Sequence, residues 1–167
     1  MRRYVTGQVS CRSTDGMQTD DQVVLKCGDK EWQVRGAVLY SCSTVLDTII
    51  NESSAPKTLQ MEDVSVENVE TFLFLAGMTS YDSAKPFCSL KELSSMTALA
   101  MPLVHKYDCI GLLKILKAVQ NEIPDVEGIM AIVRCEQGDV DWLGDAAKSL
   151  LVRATFVQAT FGTPDRW

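Results

Sequence analysis

Strand-like alternation of apolar residues is confined to the first part of this chain, before Ser65, and that confinement constrains the fold more than any other feature. QVVLKC-GDK-EWQVRG, residues 22–36, alternates β-branched and aromatic residues with polar ones around a Gly-Asp-Lys turn, which predicts a hairpin of two short strands. KTLQMED, residues 57–63, alternates again and predicts a third strand. From Ser65 onward the alternation stops and apolar residues recur every three or four positions, the spacing of helices with one buried face. Strands early, helices late and short turns between them describe an α+β chain, a small three-stranded sheet capped by a helical cluster.

Local signals divide the helical part. AVLYSCS and TVLDTIIN predict two short helices, the second with Thr44 and Asp47 as a capping box and Val45, Leu46, Ile49 and Ile50 as its apolar face. SSAP breaks the chain before the third strand. Ser65 is a good N-cap for a helix in which Val66, Val69, Phe72, Leu73 and Ala76 share a face, with Glu67 in its positive first turn. GMTSYDSAKPF predicts a loop, and Ser89 with Glu92 forms a capping box for SLKELSSMTALAM. Pro102 lacks an amide donor, so a kink or a restart is expected there. IGLLKILKAVQNEI is amphipathic through Leu112, Leu113, Leu116 and Val119. DVEGIMAIVRCEQ and DVDWLGDAAKSLLVRATFVQ then predict a helical hairpin joined by a Gln-Gly-Asp turn. The division expected is an arm or edge strand over 1–21, a domain over 22–123, a helical extension over 124–160 and a tail over 161–167.

Several function classes are disfavoured by composition. A net charge of −6 and no lysine/arginine run argue against a nucleic-acid or anionic-membrane surface. The longest apolar runs, about seven residues, are short of a membrane span, and the N-terminal stretch has no apolar core of a signal peptide. The cysteines Cys11, Cys27, Cys42, Cys88, Cys109 and Cys135 include no C-x-x-C pair, and one histidine cannot complete the usual zinc spacings. Most sit beside apolar residues, which suits reduced, packed thiols and a cytoplasmic or nuclear protein. No cofactor and no metal is expected.

The one constellation that resembles chemistry is PLVHKYDCIGLL, where His105 lies four residues before Cys109. A histidine base beside a cysteine nucleophile would serve hydrolysis, but an orienting group and an oxyanion hole are also needed and neither has a local signature here. YDC resembles a junction between helices, which would take His105 and Cys109 off a common face. A cationic helix end and a packed thiol account for the pair, and no catalytic residue is assigned. GDKEW has one glycine and cannot cradle a phosphate, while the carboxylates of MEDVSVE read as cap and turn. Met96 and Met101 read as core, and Trp142, placed at the start of the last helix, as a packing anchor.

The order of these elements resembles the BTB/POZ domain, from about Asp21 to about Ile123. The family's H-x-x-V-L-x-x-x-S-x-x-F helix pair is met by VRGAVLYSCSTVLDTII at Val38, Leu39, Ser43 and the apolar pair Ile49–Ile50, with Arg35 in place of the histidine and Leu46 in place of the phenylalanine. KTLQMEDVSVENVETFLFL resembles the third strand and following helix, and LVHKYDCIGLLKIL resembles the L-A-D-K-Y-x-x-x-x-L element at Lys106, Tyr107 and Leu112 or Leu113. Residues 1–21 lack the helix through which many members form swapped dimers, as do the elongin C and Skp-type adaptors, so a homodimer is not assigned. The family's Y-T-G strand is replaced by AGMTSYDSAKPFCS, leaving a sheet edge altered. The final helices are similar to the extension that in cullin-binding members forms part of the cullin groove.

The resemblance implies a non-catalytic interaction module whose partners are proteins. Its leading form is an adaptor that bridges partners in a cullin-RING ubiquitin ligase, with Leu46, Ile50, Met78, Tyr81 and Tyr107 as partner-binding positions. No Kelch, zinc-finger or MATH-like module stands in the sequence, which keeps a second reading open, a structural docking subunit of a larger assembly. A cysteine-dependent enzyme using His105 and Cys109 is the remote third.

Overall fold

The computed structural model describes residues 22–52, 57–79 and 88–161. The segments 1–21, 53–56, 80–87 and 162–167 lie outside the described residues, and with them the arm or edge strand, the altered Y-T-G segment and the tail.

Strands β1 (Gln22–Cys27) and β2 (Lys30–Arg35) form the expected hairpin, with Leu25 opposite Trp32 and Val23 opposite Val34. The turn is one residue tighter than the sequence suggested. Only Gly28 and Asp29 lie outside the ladder, Lys30 pairs with Cys27, and Gly28 takes φ of +57° at the first turn position, which glycine adopts without steric penalty. The chain then crosses through α1 (Gly36–Cys42) and α2 (Thr44–Glu52) and returns as β3 (Thr58–Gln60), parallel to β1, giving the order β2-β1-β3. Val23, Leu25 and Cys27 share the face that the helices cover.

Five more helices follow: α3 (Val66–Thr79), α4 (Leu90–Lys106), α5 (Ile110–Glu122), α6 (Val126–Cys135) and α7 (Asp145–Phe161). Ser65 and Asn68 cap α3 reciprocally, and Ser89 and Glu92 form the expected box on α4. Phe72, Leu39, Leu46, Met101, Leu103 and Leu116 meet the sheet in one core, which also takes in Ile132 of α6. A smaller cluster of Ile129, Leu143 and Ala147, with Leu150 and Leu151 against it, holds α7 to α6.

Four local expectations change. The cap of α2 is Ser43, whose hydroxyl accepts the Leu46 amide at 3.1 Å, so Thr44 stands inside the helix. Helix α3 runs through Gly77 to Thr79, where a loop was expected. Helix α4 continues through Pro102 without restarting. The missing Pro102 amide leaves the Ala98 carbonyl without its helical donor, and the Asn68 side chain donates to the neighbouring Leu99 carbonyl at 2.7 Å. Helix α7 begins at Asp145, so Trp142 belongs to the connection after α6.

Candidate interaction surface

The segment holding His105 and Cys109 is a corner between helices. Helix α4 ends when Asp108 adopts φ of +48°, and the Cys109 amide donates back to the Val104 carbonyl at 2.9 Å, the six-to-one bond of a Schellman stop. The turn separates the pair. Cys109 is 1 % exposed and its thiol contacts the Tyr107 carbonyl, while His105 is exposed on the last turn of α4. Burial pushes the Cys109 thiol up from its ordinary 9.0 to about 12, aided by nearby Cys42 and Asp108, so at neutral pH it is a protonated, packed group. Among the described residues no three metal-ligating side chains gather.

The Lys-Tyr pair of this corner has a definite mechanical role. Tyr107 is 4 % exposed, and its hydroxyl points at the Met61 sulfur, 3.2 Å away. Its carbonyl accepts the Ser43 hydroxyl, the same group that caps α2. Lys106 reaches along the ring, 5.9 Å from its centroid, and donates to the Glu62 carbonyl at 3.2 Å. One serine and one tyrosine thereby fasten the α1–α2 turn, the end of β3 and the α4–α5 corner together.

The structure places three of the five partner-binding positions inside. Leu46, Ile50 and Tyr107 are each no more than 4 % exposed, so they are core side chains with no surface to offer while the fold is closed. Leu46 and Ile50 face inward because the apolar stripe of α2 is the one that covers the sheet; its outward face carries Thr44, Thr48 and Asn51. Met78 lies in the last turn of α3 with its side chain outside the described residues, and Tyr81 is beyond them. The five are not brought to one described surface.

Among the described residues the large exposed apolar groups lie elsewhere: Leu90 at the start of α4, Ile110 and Ile115 on α5, Val140 in the α6–α7 connection, Val152 and Phe156 on α7. Ile110 and Ile115 stand off the inward stripe of Leu112, Leu116 and Val119, a departure visible in the sequence once that stripe is drawn.

Beside α5 lies a joint that the sequence reading missed. Gln120 is fully buried and uses its whole amide: its nitrogen donates to the Ser94 carbonyl and the Thr97 hydroxyl, both at 2.9 Å, and its oxygen accepts the Asp125 amide at 2.8 Å. Asp125 in turn caps α6 through the Gly128 amide at 2.9 Å, and Ser94 donates to the Ile123 carbonyl at 2.6 Å. Gly128 has no side chain because none fits; a Cβ there would lie 2.4 Å from the Gln120 amide nitrogen. Three helices are keyed together, so α6 packs chiefly on α4. Asn121 secures the connection beyond, donating to the Trp142 carbonyl at 2.9 Å and accepting the Gly144 amide at 2.7 Å. The Trp142 ring lies under Lys117, 5.5 Å from its centroid, and Lys117 pairs with Glu136 at 2.5 Å.

No curated protein matches the chain. The family description it does match is BTB/POZ domain, over residues 16–118, which takes in the hairpin, the α1–α2 pair, the Lys106-Tyr107 corner and most of α5. BTB/POZ domains are protein–protein interaction modules, and no helix among the described residues is long and apolar enough to cross a membrane. With that match over well more than half of its length, and with the three-stranded sheet, the helical cap and the helices that follow it in place, the chain belongs to the BTB/POZ domain family.

Proposed function

We propose that this chain is a non-catalytic adaptor that bridges a cullin and a second protein within a cullin-RING ubiquitin ligase, in the cytoplasm or nucleus. The observation that carries the reading is the fusion of extension to domain. The Gln120 joint and the burial of Ile132 in the common core hold α4, α5 and α6 together as one unit, and Ile110 and Ile115 stand exposed on its α5. In the cullin-binding members that the sequence resembles, the extension contributes to the cullin groove. A groove needs its two walls held at fixed separation, which a keyed joint supplies and a flexible linker does not.

In this reading Leu46, Ile50 and Tyr107 act from beneath, fixing α2 and the α4–α5 corner. Met78, Tyr81, Ile110 and Ile115 would make the contact. Apolar anchors of this kind inside a polar rim are the usual source of interface affinity.

The test is the solution mass by light scattering, alone and with a cullin N-terminal domain. A monomer that shifts to a one-to-one complex supports the adaptor, and Ile110→Asp with Ile115→Asp should abolish the shift. A monomer indifferent to the cullin moves the reading to a docking subunit of another assembly. A stable homodimer would assign residues 1–21 a pairing role that their sequence does not suggest.

A further inference from the structure

The strand order β2-β1-β3 gives β2 one strand neighbour among the described residues. Which of its backbone groups face away from the sheet follows from β1. The Val24 amide donates to the Lys57 carbonyl at 2.9 Å, and the Lys26 carbonyl accepts the Met61 amide at 2.7 Å, so Val24 and Lys26 turn their backbone groups to the β3 side. Alternation along an antiparallel ladder then turns Val23, Leu25 and Cys27 to β2, where they meet Val34, Trp32 and Lys30. Glu31 and Gln33, which lie between those partners, aim amide and carbonyl outward, and both residues are exposed.

The side chains along this edge decide what can pair with it. Glu31, Gln33 and Arg35 stand on the open face of the sheet, and Trp32 and Val34 stand half-buried on the covered face. Charges on an edge ordinarily deter pairing. Here they choose a register. Two copies of β2 laid antiparallel about a two-fold axis, outward groups facing, have their centre at one of the residues from Glu31 to Arg35. Centres at Glu31 or Arg35 set like charges against each other, and centres at Trp32 or Val34 set Glu31 or Arg35 against Gln33. The centre at Gln33 differs. It sets Glu31 opposite Arg35 twice and Trp32 opposite Val34 twice, and the two Gln33 backbones exchange their amide and carbonyl bonds. Glu31 keeps Lys26 of its own sheet at 2.6 Å while it takes the arginine across the axis, and a guanidinium has donors for more than one acceptor. The turn and strand also cancel in charge, Asp29 and Glu31 against Lys30 and Arg35, so the chain's net −6 is not concentrated at this edge.

We propose that β2 is a self-complementary edge through which two copies of this chain pair antiparallel about Gln33, joining their three-stranded sheets into one continuous sheet. A strand from another protein is the less favoured occupant, because it would have to carry a carboxylate and a guanidinium in the order that β2 itself carries them. A single six-residue edge buries less than the about 1,200–2,000 Å² of a stable complex, so pairing sets in near about 100 µM and the dilute chain is a monomer. The proposal goes beyond the adaptor reading and uses neither Ile110 nor Ile115.

The test is sedimentation equilibrium of the full chain from about 5 µM to about 500 µM. The mass should be that of a monomer at the low end and approach that of a dimer at the high end. Gln33→Pro removes an amide that faces away from β1, so the hairpin survives while pairing weakens at least about tenfold. Arg35→Glu sets carboxylates against each other across the axis and should weaken pairing as much, whereas Arg35→Lys should hold it within about threefold. Register is read by cross-linking at about 100 µM with a short bis-maleimide. Gln33→Cys, whose thiols meet at the axis, should give covalent dimer well ahead of Thr48→Cys, exposed on α2. A monomer at every concentration, a dimer indifferent to both Gln33→Pro and Arg35→Glu, or equal cross-linking at positions 33 and 48 overturns the proposal. Melting curves check that each variant is folded, and the charge pair decides should Gln33→Pro melt early. Cullin binding should survive every one of these variants, so failure here leaves the adaptor reading standing.

Discussion

Gly128→Ala is the sharpest test of the joint between domain and extension. In an ordinary helix this change stabilises by about 0.5–1 kcal/mol, since alanine loses less backbone freedom on folding. Here the new Cβ would sit 2.4 Å from the Gln120 amide nitrogen, 2.9 Å from its carbonyl carbon and 3.1 Å from the Thr97 Cβ. Something must move. If the Gln120 amide swings aside it abandons the Ser94 carbonyl, the Thr97 hydroxyl and the Asp125 amide, all buried or half-buried, at a cost of about 1–3 kcal/mol for the polar groups left unmet. If α6 retreats from α4 the strain of overpacking is of similar size, about 1–3 kcal/mol. Either route outweighs the propensity gain, and the net expectation is a loss of about 1–2 kcal/mol, read as a lower urea midpoint by circular dichroism. The paired measurement fixes the cause. In a Gln120→Ala background the obstructing amide is gone, so adding Gly128→Ala should be neutral or mildly stabilising, a coupling that only contact between the two residues produces. A Gly128→Ala chain as stable as the parent, or one destabilised equally in both backgrounds, would refute the close approach.

Three further expectations rest on single groups. Ser43→Ala removes the cap of α2 and leaves the buried Tyr107 carbonyl with only the weak Cys109 thiol contact, so about 1–3 kcal/mol should be lost in urea melts, and Ser43→Thr should recover part of it. Cys109 should resist iodoacetamide at pH 8 in the folded chain and label readily in urea. Its folded pKa is raised, so the stability it contributes is complete below 9 and is lost as pH rises from there toward about 12; the melting temperature should fall across that range and less so for Cys109→Ala. Asn121→Ala releases the Trp142 carbonyl and the Gly144 amide, and amide exchange should quicken from residue 142 into the first turn of α7 with β1 and α3 unchanged.

What the sequence made legible was whatever is decided within a few residues. The hairpin, the Ser65 and Ser89 caps and the inward stripe of α5 follow from spacing and capping chemistry, and Val38, Leu39, Ser43, Lys106 and Tyr107 were enough to suggest the family. What it hid was decided across space. Pro102 reads as a break, yet packing keeps α4 whole and Asn68, thirty-one residues from Leu99, supplies a donor beside the gap. Gly77 reads as the start of a loop, but α3 continues through it into Met78 and Thr79. Leu46, Ile50 and Tyr107 were read as partner anchors from the family resemblance, yet they are large and mostly apolar side chains and sit in the core. One clue to the joint was available. Gln120 lies at i+4 from Leu116 and i+8 from Leu112, on the buried stripe, and a polar residue there must find internal partners.

The joint also bears on where the domain stops. The family match ends at residue 118, inside α5, and the sequence reading set the boundary at 123. A chain cut after Ile123 would keep every strand and α1 to α5, yet it would lose the Asp125 amide that satisfies Gln120 and the two fully buried isoleucines of α6. Burial of an isoleucine side chain contributes about 1.5–3 kcal/mol, so Ile129 and Ile132 alone account for about 3–6 kcal/mol. That is a large share of the roughly 5–15 kcal/mol that holds a typical domain together. It would also uncover the side of α4 that carries Thr97 and Ser94 and leave Gln120 half-paired. The expected result is a truncated chain with a much lower urea midpoint that binds a hydrophobic dye. Extending the cut to residue 138, which restores α6 and its turn but not α7, should recover most of the loss, because Ile132 belongs to the main core while α7 closes only the small cluster around Ile129. If the chain ending at 123 melts like the full one, α6 is an appendage rather than a wall of the domain, and the joined unit on which the adaptor reading depends is gone with it.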